Sequence, residues 1–446
     1  MNQKSKHFTK SLSFKLISIG VVIIVLLYPM YKIQGLISER DGNRLQAQLE
    51  VGEMWGGEQI LEGPVVIVPY WHYERINDEV VRMKRQAKFL PEKLKIEGEI
   101  FPESLSRSIY EIIVYSSELR ISGNIYKPDI EKLGIDDKEA IWEEAQLQIS
   151  VSDIRGVKEN VVINWNGQSM EFVPGVEASE VFSNGLSIPL IFKEDVLNEF
   201  TYTMKLNGSK NLSFLPLANE TKVKITSSWA SPSFTGEYVP YNREINDDGF
   251  LAEWGVLSLN RTFPQQWKDI KYTINESAFG VSLYQPVNLY QKSTRSAKYA
   301  ILIIFLTFLT FFIIENLGKH LVHPVQYGMV GLGLIIFYTL LLSLSEYIEF
   351  HWAYLIASSM ITLTIAGYSA SLFESFKRGL LVAVFIAFLY LFIFIIIQSE
   401  DYSLLIGSFG LYLTLAVAMY FSRKINWYKD KSHEITKEAS FSRDVQ

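Results

Sequence analysis

The chain has 446 residues, 48% of them hydrophobic, and no cysteine. Its length exceeds one ordinary domain, and the missing cysteines exclude disulfides, thiolate metal sites, cysteine nucleophiles and a lipid-modified cysteine anchor. The net charge of −6 is unevenly spread: residues 1–33 carry +5, residues 298–446 are neutral and residues 34–297 hold −11, which makes nucleic acid and anionic headgroups poor partners for the middle segment.

Lys4, Lys6, Lys10 and Lys15 precede an apolar run, Leu16–Tyr31. The run ends in Tyr28-Pro29-Met30-Tyr31-Lys32, without a small-x-small cleavage pattern, so it reads as an uncleaved anchor with a cytoplasmic N-terminus. From Gln34 to Trp55, Leu36, Arg40, Asn43, Ala47 and Val51 recur at helical spacing, and the segment is expected to extend the anchor outward.

The period then changes to two. Val65–Pro69, Ile109–Tyr115, Leu147–Val151, Val161–Trp165, Phe200–Leu206 and Thr221–Trp229 read as strands separated by Gly, Pro, Asn or Asp. Asn166-Gly167 and Asn207-Gly208 read as hairpin turns. Strands at this spacing predict antiparallel sheets packed as a sandwich. Two short echoes recur, Phe89-Leu90-Pro91 with Phe214-Leu215-Pro216 and Leu94–Gly98 with Leu119–Gly123. They fit either a duplicated β unit or the ordinary grammar of strands and turns. Ser227–Phe279 packs Trp229, Phe234, Tyr238, Tyr241, Phe250, Trp254, Phe263, Trp267 and Tyr272 among Pro, Gly and Asn. It is either an aromatic groove or a long connection pinned to the sheets by its rings.

Five further apolar segments follow: Tyr299–Ile314, Val325–Ser345, Trp352–Leu372, Leu380–Ile397 and Tyr402–Ser422. With the anchor they predict six membrane spans. The short loops agree with the positive-inside rule. Lys319, then Lys377 and Arg378, then Arg423, Lys424, Lys429 and Lys431 fall on one side, and Glu346, Glu349, Glu400 and Asp401 on the other. Both termini are then expected in the cytoplasm, with residues 34–297 outside. The expected organisation is a tail and anchor over 1–33, a periplasmic β-rich domain over 34–297, a five-span bundle over 298–422 and a cytoplasmic tail over 423–446.

No nucleophile elbow, Walker loop, dinucleotide fingerprint or HExxH pair occurs, and no cofactor is expected. His320 and His323 lie three apart near Glu315 without a further clustered ligand, so they read as interfacial anchors rather than a metal site. Tyr327, Gly331, Tyr338 and Ser345 fall on one face of their helix, and Ser358, Thr362 and Ser369 on one face of the next, the usual make-up of packing seams. The Leu380–Ile397 segment carries Tyr390 alone as a polar residue and is expected to face lipid. Glu315 ends one helix and Pro324 opens the next. A carboxylate at a helix C-terminus is unfavourable, so Glu315 is expected either to pair with Lys319, His320, His323 or Gln326 or to point into water or headgroups.

Several short motifs follow one another along the chain: Glu39-Arg40, Gly63-Pro64 with Pro69, Phe89-Leu90-Pro91-Glu92, Asp153-x-Arg155-Gly156, and Trp229-x-x-Pro232-Ser233-Phe234-x-Gly236. Then come Arg243-Glu244, Lys298–Leu302, Phe311-Phe312-x-x-Glu315, and His323-Pro324-x-Gln326-Tyr327 running on to Ser345-Glu346. In order and spacing these resemble the CreD family of bacterial inner-membrane proteins, called cell envelope integrity proteins, from the anchor to Asn426-Trp427-Tyr428. Asn288 departs from the Asp of the family pattern. The resemblance implies an inner-membrane protein with a large periplasmic domain, associated with envelope stress and a two-component regulatory system. It implies no reaction. Its motifs nominate Asp153, Arg155, Trp229, Arg243, Glu315, His323, Pro324, Gln326, Tyr327, Tyr338, Ser345 and Glu346 as structural or functional residues.

The resulting expectation is a non-enzymatic envelope factor that contacts membrane lipid and binds an envelope protein or cell-wall partner through its β domain. The alternative is a transporter or lipid-handling membrane protein.

Overall fold

The computed structural model describes residues 12–76, 79–175, 184–193, 196–268, 272–283, 289–317, 322–399 and 403–423. They fall into two compact units, one drawn from Arg44–Pro286 and the other from Met1–Asn43 and Val287–Gln446. Helix α1 (Leu12–Trp55) is continuous through the anchor and the expected extension, with Pro29 inside it.

The first unit is built on two sheets. One holds β1 (Gln59–Ile76), β2 (Glu79–Phe89), β5 (Gln146–Val151), β8 (Val173–Pro174), β9 (Leu186–Pro189), β11 (Asn211–Phe214), β13 (Pro232–Gly236), β16 (Gln266–Lys268) and β17 (Phe279–Leu283). The other runs in the order β14 (Asn242–Asn246), β15 (Gly249–Leu257), β12 (Glu220–Ser227), β3 (Lys93–Arg107), β4 (Tyr110–Ile125), β10 (Asn198–Ser209), β6 (Val162–Trp165), β7 (Gln168–Glu171). One continuous apolar core draws on both sheets, with Val66, Ile149 and Phe279 from the first and Ile96, Ile121 and Trp254 from the second. The strict alternation of buried and exposed residues in β12 is what a half-buried strand requires.

Two details correct the expected antiparallel sandwich. Each sheet contains a parallel pair, β1 with β11 and β12 with β3. Asn207-Gly208 is not a turn; it continues β10 opposite Ser116 and Tyr115 of β4. Its glycine answers a packing demand, since a Cβ there would lie 2.3 Å from the Tyr115 hydroxyl. Asn166-Gly167 does form the two-residue turn between β6 and β7, with φ of 53° and 89°.

The echo of Leu94–Gly98 in Leu119–Gly123 has a local cause. The two segments pair antiparallel with each other, Leu94 opposite Gly123 and Gly98 opposite Leu119. A Cβ at Gly98 would meet the Leu119 side chain, whereas one at Gly123 would meet the Lys93 carbonyl and the Phe200 ring of β10. The other echo also has one. Leu90 and Leu215 share a small core with Leu217, Phe263, Trp267 and Ile274. Gln265 Nε2 donates to the Leu90 and Pro91 carbonyls at 2.8 and 2.6 Å, and Arg261 Nη1 to the Pro216 carbonyl at 3.1 Å.

The aromatic segment is not the long connection expected: it supplies β13, β14, β15 and β16, and apart from the exposed Tyr241 its rings are buried or half-buried. Trp254 of β15 lies 5.7 Å from Phe234 and 6.0 Å from Phe279 between ring centroids, joining the second sheet to the first.

The helical unit comprises the N-terminal part of α1, α2 (Leu289–Lys298), α3 (Ala300–Leu317), α4 (Pro324–Ser345), α5 (Phe350–Leu372), α6 (Phe376–Gln398) and α7 (Ser403–Ser422). Among the described residues, four helices are long and apolar enough to cross a membrane, and five if α2 and α3, bent by 41° at their junction, count as one. On α4 the buried face carries Tyr327, Gly331, Tyr338 and Ser345, the seam expected from spacing. On α5 the buried stripe runs through Ala353, Ala357, Ile361, Ile365 and Ser369, so Ser358 and Thr362 flank the seam instead of forming it. Helix α6 also corrects expectation: Gly379, Val382, Ile386, Leu389, Tyr390 and Ile393 are buried in protein. An apolar residue suits lipid and protein interior equally, so hydropathy alone does not separate the two.

Candidate functional site

Glu315 is 6% exposed near the C-terminus of α3. Its Oε1 accepts from the backbone N–H of Val322 at 3.0 Å, and its Oε2 from the Tyr327 hydroxyl at 3.1 Å. The ammonium of Lys15, on α1, pairs with the same carboxylate. Buried charge requires such partners, because desolvation otherwise outweighs what the site gains. The Tyr327 ring is set edge-on against Phe308, with centroids 5.3 Å apart.

Of the expected partners, Lys319 and His320 lie outside the described residues. His323 and Gln326 serve each other as the cap of α4: the His323 N–H donates to Gln326 Oε1 at 2.7 Å, and the Val325 N–H to His323 Nδ1 at 3.3 Å. Pro324 occupies the first turn, where its missing donor costs nothing. No sequence spacing could have linked Lys15 to Glu315, 300 residues on; the one signal was a lysine at the N-terminal edge of an apolar run.

A second carboxylate closes the other end of α4. Glu346 is the C-cap residue of the helix. The Tyr290 hydroxyl donates to its Oε1 at 3.3 Å, and Arg40 Nε of α1 lies 3.8 Å from the same oxygen. Both carboxylates therefore stand at helix C-termini, where the backbone dipole is hostile to negative charge, and both are compensated by a tyrosine and a cation. Ser345, beside Glu346, is buried and donates to the Leu342 carbonyl at 3.0 Å. Between them, Tyr338 is buried next to Phe337, which also packs on Tyr354 and Tyr390. The Tyr354 hydroxyl donates to the Tyr390 carbonyl at 2.8 Å.

Asp153 and Arg155 form a separate cluster in the β unit. Arg155 binds the Asp153 carboxylate in fork geometry, Nη2 to Oδ2 at 2.8 Å and Nε to Oδ1 at 2.9 Å. Arg155, aided by the Gly57 and Arg155 backbone N–H groups, holds the Asp153 carboxyl below its ordinary range. Sequence reasoning missed Gln59, which is fully buried beside it. Its amide donates to the carbonyls of Asp153 and Asn207, both at 3.0 Å, and accepts from the Asp153 N–H at 3.2 Å. Trp55, at the end of α1, donates to the Tyr115 carbonyl at 3.1 Å. The motif residues thus fasten the entry of the chain into the β unit. Trp229 is half-buried against the core, and its indole donates to the Ser231 carbonyl at 3.0 Å. Arg243 sits exposed on β14, and none of the contacts above involves it.

Helices of this length and apolarity, together with a two-sheet β unit, define a polytopic membrane protein with a large β-rich unit. The family model described as "Inner membrane protein CreD" matches residues 11–428, and the chain belongs to that family. It is 30% identical to the inner membrane protein CreD of Escherichia coli (strain K12) over 426 residues, 94% of each chain. It is thus a multi-pass inner-membrane protein. Among solved structures, the M1 zinc metallopeptidase of Deinococcus radiodurans aligns over 37% of this chain and 38% of its own, with a TM-score of 0.19 and 8% identity. A mutant of the same enzyme gives 0.20. Likeness at that level carries no argument about fold or activity.

Proposed function

We propose that this protein supports the integrity of the cell envelope by binding an envelope protein or cell-wall partner through its β unit, without catalysing a reaction. In this reading six helices cross the inner membrane, α7 included, both termini are cytoplasmic and the β unit is periplasmic. The charge bias of the short loops supports that orientation.

The observation that carries the reading is the exposed face of the second sheet. It holds two adjoining troughs of about 790 and 1010 Å³ that share Arg120, Asn164 and Thr201. Lys93, Lys95, Lys193 and Lys222 border the first together with Glu199 and Glu220, and Glu97, Glu99, Glu118 and Glu159 the second together with Lys205. Lys95 pairs with Glu97, Lys222 with Glu220 and Lys205 with Glu159. The excess of cations in one trough and of carboxylates in the other orients a partner of complementary pattern and sets the salt dependence of its capture. The test is copurification of the full chain from mild detergent, with the double variants Lys95→Glu/Lys222→Glu and Glu99→Lys/Glu118→Lys. The reading expects a protein or wall fragment to be retained by the parent and lost from both variants at unchanged thermal stability. Retention by both variants overturns the sheet face as the docking surface.

One observation favours a second reading, lipid handling. A groove of about 570 Å³ runs along α5 and α6, walled by Tyr354, Tyr390 and Phe394 with Ser358, Ser359 and Thr362 along its side. A preparation that retains one lipid species and no macromolecule supports this reading over the first.

A further inference from the structure

We infer that α1 is held on the helical unit as a latch, by charge at its two ends and not by packing along its length. Between Phe14 and Asn43, its buried apolar residues are Ile19, Leu26, Met30 and Ile37. At 100° per residue these four fall within about 40° of one another, a seam one residue wide. Val22, Ile23, Ile33 and Leu36 are half-buried, and Ile17, Val21, Ile24, Val25, Tyr28 and Tyr31 are exposed. A Cβ added at Gly20, Gly35 or Gly42 would meet nothing within 4 Å. Burial this sparse supplies little of the contact that normally seats a helix.

The charged contacts lie at the ends of that seam. Lys15 pairs with Glu315 and Arg40 approaches Glu346. Twenty-five residues separate the two cations, about 37 Å along an α-helix. Lys15 and Arg40 also project to the same side of the seam, about 40–60° from its centre. A slip of one residue would move α1 by about 1.5 Å and turn it by about 100°, taking both cations from their carboxylates together. Two fixed points so far apart set axial position and rotation at once. The carboxylates are in turn fixed by Tyr327 and Tyr290, neither of which belongs to α1. Glu315 and Glu346 are therefore positioning residues for α1, and neutralising both frees the helix to slide or rotate.

Cross-linking of the full chain in native membranes tests this, since the protein has no cysteine of its own. A Cβ at position 328 would lie 3.9 Å from Val22 Cγ1, so Val22→Cys with Gly328→Cys reports the seat of α1. Gly333→Cys with Ile365→Cys, joining α4 to α5 across a similar gap of 3.8 Å, reports the rest of the bundle. Adding Glu315→Gln with Glu346→Gln should slow the first disulfide about tenfold and leave the second unchanged, because an uncompensated cation no longer fixes either end. An unchanged rate for the first pair overturns the latch. If both pairs slow together, Arg40→Glu and the exchange Arg40→Glu/Glu346→Arg decide in its place. Recovery of the first disulfide in the exchange upholds the latch, and no recovery overturns it.

Discussion

The hydroxyl of Tyr327 donates to Glu315 across the turn between α3 and α4, at 3.1 Å and out of contact with water. The bond ties the end of one helix to the first turns of the next. Removing either side leaves a buried polar group with fewer partners than it needs. Glu315→Ala should lower stability in detergent by about 3 kcal/mol or more, because Lys15 then loses its counter-charge. Tyr327→Phe should cost about 1.5–3 kcal/mol, and Glu315→Gln should fall below Glu315→Ala. Thermal unfolding of the three variants checks the order, and equal stability for all of them would remove the structural role of the pair.

Gln59 answers for three backbone groups in the β unit. Gln59→Ala should destabilise that unit by about 1–3 kcal/mol per orphaned buried group, less whatever water regains. Gln59→Glu keeps the size but loses the donor, and should be no better. Denaturant titration followed by Trp fluorescence reads both, and a midpoint within error of the parent speaks against the joint.

Two carboxyls in the β unit should move stability with pH in opposite senses. Asp153 is held low, chiefly by Arg155, so its contribution is present above the ordinary carboxylate range near 4 and is lost as pH falls through the folded value. Glu62 is raised by burial, with Ser150 opposing, so its contribution is present at low pH and is lost as pH rises through the folded value. Asp153→Asn should flatten the acid limb of the stability profile, and Glu62→Gln should stabilise the unit at neutral pH. The reverse signs in a pH series of melting curves would refute the assignment.

Gly208 has no room for a side chain: a Cβ would lie 2.3 Å from the Tyr115 hydroxyl, itself bonded to the Asn211 carbonyl at 2.8 Å. Gly208→Ala should cost about 1–3 kcal/mol through overpacking. Gly167→Ala, where nothing lies within 4 Å, should be limited to the strain of its φ of 89°. Comparing the two melting temperatures checks that the first loss is steric.

The proposed topology makes a labelling prediction. Single cysteines at Asp247 should react with a membrane-impermeant thiol reagent in intact spheroplasts, and at Lys377 should not. Reaction at Lys377 alone would reverse the orientation.

Local and periodic features were legible from the chain. The apolar runs fall on α1 and α3 to α7, because a helix in lipid must satisfy its own backbone and so leaves an unbroken hydrophobic record. Each of the six expected strands falls on a strand, with Ile109, Val161 and Ser228–Trp229 beyond the ends of β4, β6 and β12, and Asn166-Gly167 forms its turn, because alternation and positive φ are written in neighbouring residues. The Pro324 start of α4 was readable for the same reason, and so was the buried face from Tyr327 to Ser345. What the chain left open was everything set by residues distant in sequence. Asn207-Gly208 reads as a turn until Tyr115 is seen filling the space beside Gly208. Helix α6 reads as lipid-facing because apolar side chains satisfy lipid and protein alike, and only its neighbours decide which it meets. Glu315 announced that it needed a partner, through the cost of a carboxylate at a helix C-terminus. Which groups answer, Tyr327, Val322 and a lysine 300 residues away, was decided by tertiary packing, because a buried charge takes whichever donors the fold brings within reach.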